Sequence, residues 1–275
     1  MKDKPLISVV IPTLNSEMTL ESCLRSVKRQ TYRNIEVIIV DSFSLDRTID
    51  IAQKFGEVFL YAGGILGARF TGLMRSSGDF VLLLDSDQIL QRSAMERALA
   101  MMNKYDMLCL EERSYRPRSL VEKLFEADRK LVFELARIHL DPVEGVLLAR
   151  FFKRQVLEEA FNNIPKPLFP AVVAHDHAIV YYEAHRVSSK VGILWKAVWH
   201  VEPSDMVDLW RKNFRYGRST KYLVRTGLYR DLLRRKVRFR KGALNSLSLT
   251  NGIKSCLLSA IKGVPYQIGY WSGGG

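Results

Sequence analysis

The first 110 residues alternate short runs of β-branched and aliphatic side chains with segments whose apolar residues recur at helical spacing. This alternation is typical of an α/β protein, in which helices pack on a central sheet. Leu20, Cys23, Leu24 and Val27 share one helical face, which predicts a crossover helix with Ser16 placed to cap its start. The predicted strands are Ile7–Ile11, Ile35–Val40, Val58–Tyr61, Phe80–Leu84 and Met107–Leu110.

Beyond Glu112 the pattern changes and the chain becomes more charged. The spacing there predicts a helix over Leu120–Ile138, and a proline-rich loop is predicted over Ile164–Pro170. After residue 222 the chain is basic and partly amphipathic. We therefore predict three parts, which are residues 1–112, 113–222 and a tail over 223–275, and the first two are halves of one domain.

Three of the predicted strands run directly into polar residues, which are Pro12–Asn15, Asp41–Ser44 and Asp85–Asp87. Ligands of parallel sheets bind at the carboxyl ends of strands, where helix N-termini also point, so these polar ends predict one nucleotide site. The last of them holds two carboxylates, whose hard oxygen atoms suit Mn²⁺ or Mg²⁺ and a bound diphosphate. Such triplets are also common in solvated loops, so the spacing alone leaves both interpretations open.

The net charge of +13 is concentrated in one segment. Arg211–Lys241 contains 13 Lys or Arg and one acid, Asp231, for a local net charge of +12. Such a segment could bind nucleic acid, an anionic membrane or the phosphate groups of a substrate. No recognised nucleic-acid-binding module accompanies it in the sequence, so we expect no nucleic-acid partner.

The composition indicates a location inside the cell. The N-terminal residues lack the pattern of a signal peptide and the three cysteines lie far apart, so we expect a reducing, cytoplasmic location. No segment reaches the roughly 18 uninterrupted apolar residues needed to cross a bilayer. Basic residues beside the apolar stretch Leu247–Ile261 favour peripheral contact with the anionic inner face of the cell membrane. The alternative is a solvated helix followed by a helical segment that docks on the domain.

Residues 8–87 resemble, segment by segment, the nucleotide-sugar half of family 2 glycosyltransferases. The resemblance implies the GT-A fold, a Rossmann-like nucleotide-diphospho-sugar transferase fold with a central mixed, mostly parallel sheet flanked by helices. It also implies that residues 1–112 bind the donor and residues 113–222 bind the acceptor. The matching segments are Val9–Asn15, Ser26–Tyr32, Val37–Thr48 and Gly67–Arg69, in the family's order and spacing.

The resemblance implies a base pocket at the ends of the first two strands. Pro12 and Thr13 would line it, and Asn15 and Ser44 would belong to the same donor site. Asp41 would accept a hydrogen bond from the base. The alternative is that Asp41 caps a helix or forms a turn.

The resemblance places the phosphates and the metal at the third polar strand end. Arg69 would lie near the nucleotide and its phosphates, Asp85 near the ribose and Asp87 on the metal. His200, which follows the apolar run Val191–Val198, is similar to the histidine that completes the metal shell in many relatives. Imidazole with carboxylate suits Mn²⁺ better than Ca²⁺, so we expect Mn²⁺, or Mg²⁺, as the cofactor.

The acceptor half carries the residues expected to act on the reacting groups. Where family 2 enzymes have an acidic pair, this chain has His175 followed by Asp176, so Asp176 is the candidate general base of an inverting displacement. If the acceptor is already an anionic phosphate, Asp176 would position it instead. Arg215 and Arg218 lie in a segment similar to the family's Tyr-Gly-Arg element and would face the diphosphate or an acceptor phosphate.

The resemblance also implies what is transferred. The Gln-x-x-Arg-Trp signature of processive synthases does not occur near Trp195 or Trp210, so we expect transfer of one hexose per encounter to a lipid-linked or polyprenyl-phosphate acceptor. Similarity to dolichyl-phosphate mannosyltransferases gives a weak preference for GDP-mannose as the donor. The alternative is a UDP-sugar donor with a soluble or glycan acceptor. A nucleotidyltransferase and a non-enzymatic nucleic-acid-binding protein are more remote alternatives.

Overall fold

Strands and helices alternate along the residues that the computed structural model describes, which are 4–135, 140–143, 145, 147–203, 205–234 and 249–272. The strands are β1 (Ile7–Thr13), β2 (Ile35–Asp41), β3 (Glu57–Leu60), β4 (Phe80–Leu83), β5 (Gln88–Leu90), β6 (Met107–Ser114), β7 (Ala149–Lys153) and β8 (Val191–His200). The helices are α1 (Leu20–Lys28), α2 (Thr48–Ala52), α3 (Ile65–Met74), α4 (Ala94–Met101), α5 (Leu120–Leu135), α6 (Arg154–Asn163), α7 (Asp176–Val187), α8 (Met206–Thr226) and α9 (Leu249–Ser272), with a 3₁₀ turn at Lys166–Leu168.

All of these strands lie in one mixed sheet with the order β3-β2-β1-β4-β7-β6-β8-β5. β1 runs parallel to β2 and β4, β2 to β3, and β6 to β8, whereas β7 is antiparallel to both β4 and β6, and β5 to β8. Strands from residues before and after 112 therefore alternate within a single sheet. This arrangement confirms the predicted α/β class with a mixed, mostly parallel sheet.

Four of the predicted strands are confirmed to within one or two residues at each end, and the fifth begins at Met107 as predicted but continues four residues beyond Leu110, to Ser114. The predicted face of α1 is buried. α5 begins at Leu120 as predicted and is described to Leu135, so the predicted end at Ile138 lies outside the described residues. The capping role of Ser16 is wrong. α1 begins at Leu20 without a side-chain cap, and the Ser16 hydroxyl contacts that of Ser86 at 2.9 Å.

Two apolar clusters enclose the sheet, one on each face. Val10, Ile38 and Phe152 belong to one cluster, and Val9 and Ile39 belong to the other. Adjacent residues of a strand point to opposite faces, so the runs Val9–Val10 and Ile38–Ile39 supply both clusters at once. The polar residues at the strand ends are therefore held by strands whose two faces are both packed.

The last part of the described chain docks on the domain. α9 packs against α8 and α5, which fits the docked helix that the sequence offered as the alternative for the tail. Gly217 and Gly269 allow the crossing with α8, because a Cβ at either position would lie 2.0 Å from a carbonyl oxygen of the other helix. The basic segment beyond residue 234 lies outside the described residues. Among the described helices, none is both long and apolar enough to cross a membrane.

Candidate functional site

Asp41 organises the first two polar strand ends. It ends β2 directly opposite Thr13 of β1, and its side chain is fully buried. The Thr13 hydroxyl donates to Asp41 Oδ2 at 2.8 Å, while the backbone N–H and hydroxyl of Ser44 donate to Oδ1 and Oδ2 at 2.7 and 2.6 Å. The backbone N–H of Asn15 in turn donates to the Ser44 hydroxyl at 2.8 Å. The structure therefore brings these four predicted donor-site residues together. Pro12 precedes Thr13 in β1.

The loops around Asp41 have an unusual backbone. Asn15 has φ 49° and Phe43 has φ 60°, the left-handed region that bulky side chains rarely adopt. Phe43 is also half exposed although it is aromatic. Strained backbone of this kind concentrates at binding sites, where the surrounding structure holds it in place.

Asp85 is the centre of a buried cluster of opposite charges. Its Oδ1 accepts a hydrogen bond from Arg69 Nη2 at 2.5 Å, and its Oδ2 accepts one from Arg150 Nη1 at 2.9 Å. Arg69 also donates through Nε to Asp176 Oδ2 at 2.7 Å. His177 Nε2 accepts from Arg150 Nη1 at 2.5 Å. The three predicted site residues Arg69, Asp85 and Asp176 are therefore in direct contact although they come from three separate parts of the chain.

The cations of this cluster decide which of its groups are charged. Burial opposes ionisation of Asp85, but Arg150 and Arg69 hold its pKa well below the usual value. Burial also opposes ionisation of Asp176. The interaction with Arg69, and secondly that with His177, outweighs this effect of burial, so the pKa of Asp176 is lowered as well. Burial and the same two arginines lower the pKa of His177, which keeps its imidazole neutral at pH 7.

The cluster continues through residues that sequence analysis did not assign. Arg150 Nε pairs with Glu112 Oε1 at 2.9 Å, and Glu112 Oε2 pairs with Arg129 Nη1 at 2.5 Å. Arg129 also contacts Glu202. The pKa of Glu202 is lowered to about 2, because hydrogen bonding from His200 and the charge of Arg129 outweigh the effect of burial. Carboxylates and guanidinium groups thus alternate from Asp176 to Glu202.

Strand register places His200 beside Asp87. β5 begins at Gln88, which is paired with His200 at the end of β8, and Asp87 immediately precedes Gln88. As a result Asp87 Oδ1 lies 3.4 Å from His200 Nε2, and the backbone N–H of Val201 donates to the Asp87 carbonyl at 2.8 Å. The two predicted metal ligands therefore lie side by side.

Several polar atoms of this region are buried without a hydrogen-bond partner. Within the described part of the chain they include Arg69 Nη1, Asp87 Oδ1 and His177 Nδ1. Buried polar atoms are normally paired, so these atoms mark a place where a ligand belongs. A carboxylate oxygen beside an imidazole fits Mn²⁺ or Mg²⁺, although no group of three or more His, Cys, Asp or Glu side chains among the described residues is arranged to hold a metal.

α8 presents a lysine to the same carboxylate. Lys212 Nζ lies 3.7 Å from Asp87 Oδ2. The pKa of Lys212 is raised by Tyr216, which lies one turn later, and by the two carboxylates Asp87 and Asp85. Arg215 and Arg218 are exposed, and the contacts described for this helix include none between them and the buried carboxylates. The phosphate-facing roles of these two arginines stay predictions.

Helical spacing was the signal that could have identified Lys212. Lys212 and Tyr216 are four residues apart and therefore share a face of α8. Arg150, Glu112 and Arg129 gave no comparable signal, because single charged residues in a strand or helix usually lie in solvent. Only the pairing of β7 with β4 and β6 brings Arg150 next to Asp85.

Comparison with known proteins identifies part of the chain by sequence. The model of the family "Glycosyl transferase family 2" matches residues 8–134. The UDP-Glc:α-D-GlcNAc-diphosphoundecaprenol β-1,3-glucosyltransferase WfgD of Escherichia coli is 36% identical over 108 residues, which are 37% of this chain and 43% of WfgD. The chain spans half or less of the length of this and other curated relatives that it matches.

Solved structures share the fold at low sequence identity. Staphylococcus aureus TarS 1–349 in complex with UDP-GlcNAc superposes with a TM-score of 0.58 and 16% identity, covering 95% of this chain and 81% of that one. Mycobacterium tuberculosis glucosyl-3-phosphoglycerate synthase in complex with Mn²⁺, UDP-Glc and phosphoglyceric acid gives 0.54 and 21%, covering 79% of each. The chain therefore has the GT-A fold, and its residues 8–134 match the model of glycosyltransferase family 2.

Proposed function

We propose that the chain transfers a hexose from a UDP-sugar to a lipid-linked acceptor, with inversion at the anomeric carbon and with a divalent metal at Asp87 and His200. The main observation in its support is the group of buried, unpartnered polar atoms on Arg69, Asp87 and His177, around the carboxyl end of β4. In parallel sheets this edge is where ligands bind. The family of residues 8–134 supports sugar transfer as the reaction.

The hydrogen bonds of Asp41 favour uracil over guanine. A carboxylate can accept about four hydrogen bonds, and Thr13 and Ser44 already supply three to Asp41. One remaining acceptor position suits the single N–H of uracil, whereas guanine offers two adjacent donors that a free carboxylate would bind as a pair. WfgD is named as a UDP-Glc-dependent transferase, and the two solved structures are complexes with UDP-GlcNAc and UDP-Glc. We therefore propose a UDP-sugar in place of the GDP-mannose that the sequence weakly favoured.

Asp87 and His200 would hold the metal. Asp87 Oδ1 has no hydrogen-bond partner among the described residues, while Oδ2 faces the Lys212 ammonium. A bound Mn²⁺ or Mg²⁺ supplies charge that stabilises the departing diphosphate. Lys212 would serve the same purpose, because its ammonium lies 3.7 Å from Asp87 Oδ2 and therefore beside the proposed metal site.

Asp176 would act on the attacking oxygen of the acceptor. In this step a bond forms between that oxygen and the anomeric carbon, the bond from this carbon to the UDP oxygen breaks, and the acceptor proton passes to Asp176. Arg69 holds Oδ2 of Asp176 and lowers its pKa, so the carboxylate is ionised at neutral pH and fixed in orientation. Its low basicity also agrees with an acceptor that is already an anionic phosphate, for which Asp176 positions the nucleophile.

The acceptor proposal rests on charge and on one relative. α8 places exposed Arg215 and Arg218 on the same helix as Lys212, which is suited to a phosphate-containing acceptor. The name of WfgD states a diphosphoundecaprenol-linked acceptor for that protein. We therefore propose a sugar carried on polyprenyl diphosphate, or a polyprenyl phosphate, as the acceptor, with peripheral contact to the inner face of the membrane.

Thermal unfolding with nucleotides tests the donor and the metal together. UDP and GDP are each added with Mn²⁺ or with EDTA to the wild type, to Asp87→Asn and to the control Asp50→Asn, which changes an exposed carboxylate on α2. At a hundredfold excess over its dissociation constant, UDP with Mn²⁺ should stabilise the wild type by about 2.7 kcal/mol. Asp87→Asn should lose the part that depends on Mn²⁺, and Asp50→Asn should keep it.

Two results would contradict the proposal. A shift that depends on Mn²⁺ with GDP but not with UDP would overturn the choice of donor. The absence of any nucleotide-dependent shift, or an equal shift in Asp87→Asn, would overturn the site. Once a donor is known, the anomeric configuration of the product, measured by NMR, tests inversion: an α-linked UDP-sugar should give a β-linked product.

A further inference from the structure

The outward face of α9 is apolar from Ile253 to Trp271. At about 100° per residue, five side chains of α9 fall within an arc of about 60°. They are between 45% and 72% exposed. We call this surface the α9 face, and it consists of Ile253, Leu257, Val264, Ile268 and Trp271.

The opposite side of α9 is already occupied. Gly217 and Gly269 bring α8 and α9 into backbone contact, and the Ser255 hydroxyl donates to Asp128 of α5 at 2.6 Å. Leu258 is buried in the same contact region. Since both neighbouring helices lie against this side, the α9 face cannot turn inwards without breaking these contacts. It is an apolar surface without a partner among the described residues.

Basic residues lie on α9 and on the neighbouring helix α8. α9 contains Lys254 and Lys262 and no acidic residue. Lys221 of α8 donates to the Trp271 carbonyl at 3.3 Å, and its ammonium lies 6.0 Å from the centre of the Trp271 ring. The exposed cations on the neighbouring helix α8 are Arg211, Arg215, Arg218 and Arg225.

We propose that the α9 face lies on the surface of an anionic lipid bilayer, with the helix parallel to the membrane plane. An apolar helix face with a terminal tryptophan and flanking cations is suited to the boundary between headgroups and acyl chains. A second copy of the chain fits less well, because pairing two α9 faces would bring the α8 cations of both copies together. A bilayer with anionic headgroups supplies the apolar contact and the opposite charge at once.

This docking would orient the proposed active site. α8 packs against α9 and also carries Lys212, which faces Asp87, so one rigid helix connects the bilayer contact to the donor site. A lipid-linked acceptor would then meet the site at the height of the headgroups. This consequence rests on the proposed function, whereas the docking itself does not.

Vesicle sedimentation of the full chain tests the docking without donor or acceptor. The vesicles are phosphatidylcholine alone, or phosphatidylcholine with about one third phosphatidylglycerol. The wild type should bind the anionic vesicles, and Leu257→Glu or Ile268→Glu should weaken that binding by about tenfold or more. Met74→Glu is the matched control, because it adds the same charge at an exposed apolar residue of α3 and should bind like the wild type.

Some results would overturn the docking. They are no binding of the wild type to anionic vesicles, equal binding of Leu257→Glu, or an equal loss in Met74→Glu. A dimer in light scattering that Leu257→Glu dissociates, without vesicle binding, would assign the α9 face to self-association. Circular dichroism of each variant shows whether it is folded, and Ile268→Glu provides a second variant if Leu257→Glu does not fold. Because no nucleotide is present, failure here is distinguishable from failure of the proposed sugar transfer.

Discussion

Replacing Arg69 by methionine should destabilise the protein strongly, because Arg69 is the shared partner of two buried carboxylates. Arg69 is 1% exposed and donates to Asp85 at 2.5 Å and to Asp176 at 2.7 Å. Asp85 keeps Arg150 in the variant, but Asp176 loses its guanidinium partner. Removing one partner of a buried ion pair costs about 3–5 kcal/mol, since the other charge stays buried without compensation. We therefore expect the free energy of unfolding to fall by about that amount at pH 7.

The loss should depend on pH, and its sign follows from the lowered pKa values. The pKa values of Asp85 and Asp176 are lowered in the folded protein, so their charged forms stabilise it above the unfolded pKa of about 3.9. That contribution disappears as pH falls through the folded pKa values. In Arg69→Met these carboxylates take up protons more readily, so the difference from the wild type should be largest at pH 7 and smaller near pH 4.

Urea unfolding at both pH values measures this difference. With a slope of about 3 kcal/mol/M, a loss of 3–5 kcal/mol lowers the midpoint by about 1–1.7 M. Arg25→Met is the control, because Arg25 pairs with Glu21 on the exposed surface of α1, and such pairs contribute only about 0.3–0.5 kcal/mol. A loss below about 1 kcal/mol in Arg69→Met at pH 7, or the same loss at both pH values, would show that Arg69 does not compensate the buried charge of Asp176.

Three further changes test the helix crossing, the base and the leaving group. Gly217→Ala places a Cβ 2.0 Å from the Tyr266 carbonyl oxygen and should cost about 1–3 kcal/mol in urea unfolding, whereas Gly263→Ala in open space should be neutral or stabilising. Asp176→Asn should lower kcat by roughly 10²–10⁴-fold with little change in donor affinity; an unchanged kcat would show that no proton passes to this residue. Lys212→Met should weaken UDP binding by about tenfold in calorimetry and Lys212→Arg should restore most of it; unchanged binding in Lys212→Met would exclude a phosphate contact.

The sequence predicted the strands that have a strong apolar pattern. β1, β2 and β4 are runs of β-branched or aliphatic residues buried on both faces, which is the clearest pattern that a parallel strand has. β5 has only three residues, too few for any periodicity, and its place is fixed by pairing with β8. Ser16 was predicted as a cap from spacing alone, and its hydroxyl instead contacts Ser86 across the site.

The site was predictable where its residues follow strands and unpredictable where they meet by tertiary contact. Asp41 and Asp85 follow apolar strands, so their strand-end positions could be predicted from the sequence. The partners of Asp85 could not, because Arg150 lies 65 residues away and only sheet order makes them neighbours. The low pKa of Asp176 is likewise a consequence of its contact with Arg69, which no local pattern shows.

A crystal structure with UDP and Mn²⁺ tests the proposed donor site, because anomalous scattering identifies the manganese position independently of the nucleotide. We expect a manganese peak at Asp87 Oδ1 and His200 Nε2, which lie 3.4 Å apart, and the uracil ring at Asp41. Manganese bound elsewhere, or a nucleotide whose base makes no contact with Asp41, would contradict the proposed donor site.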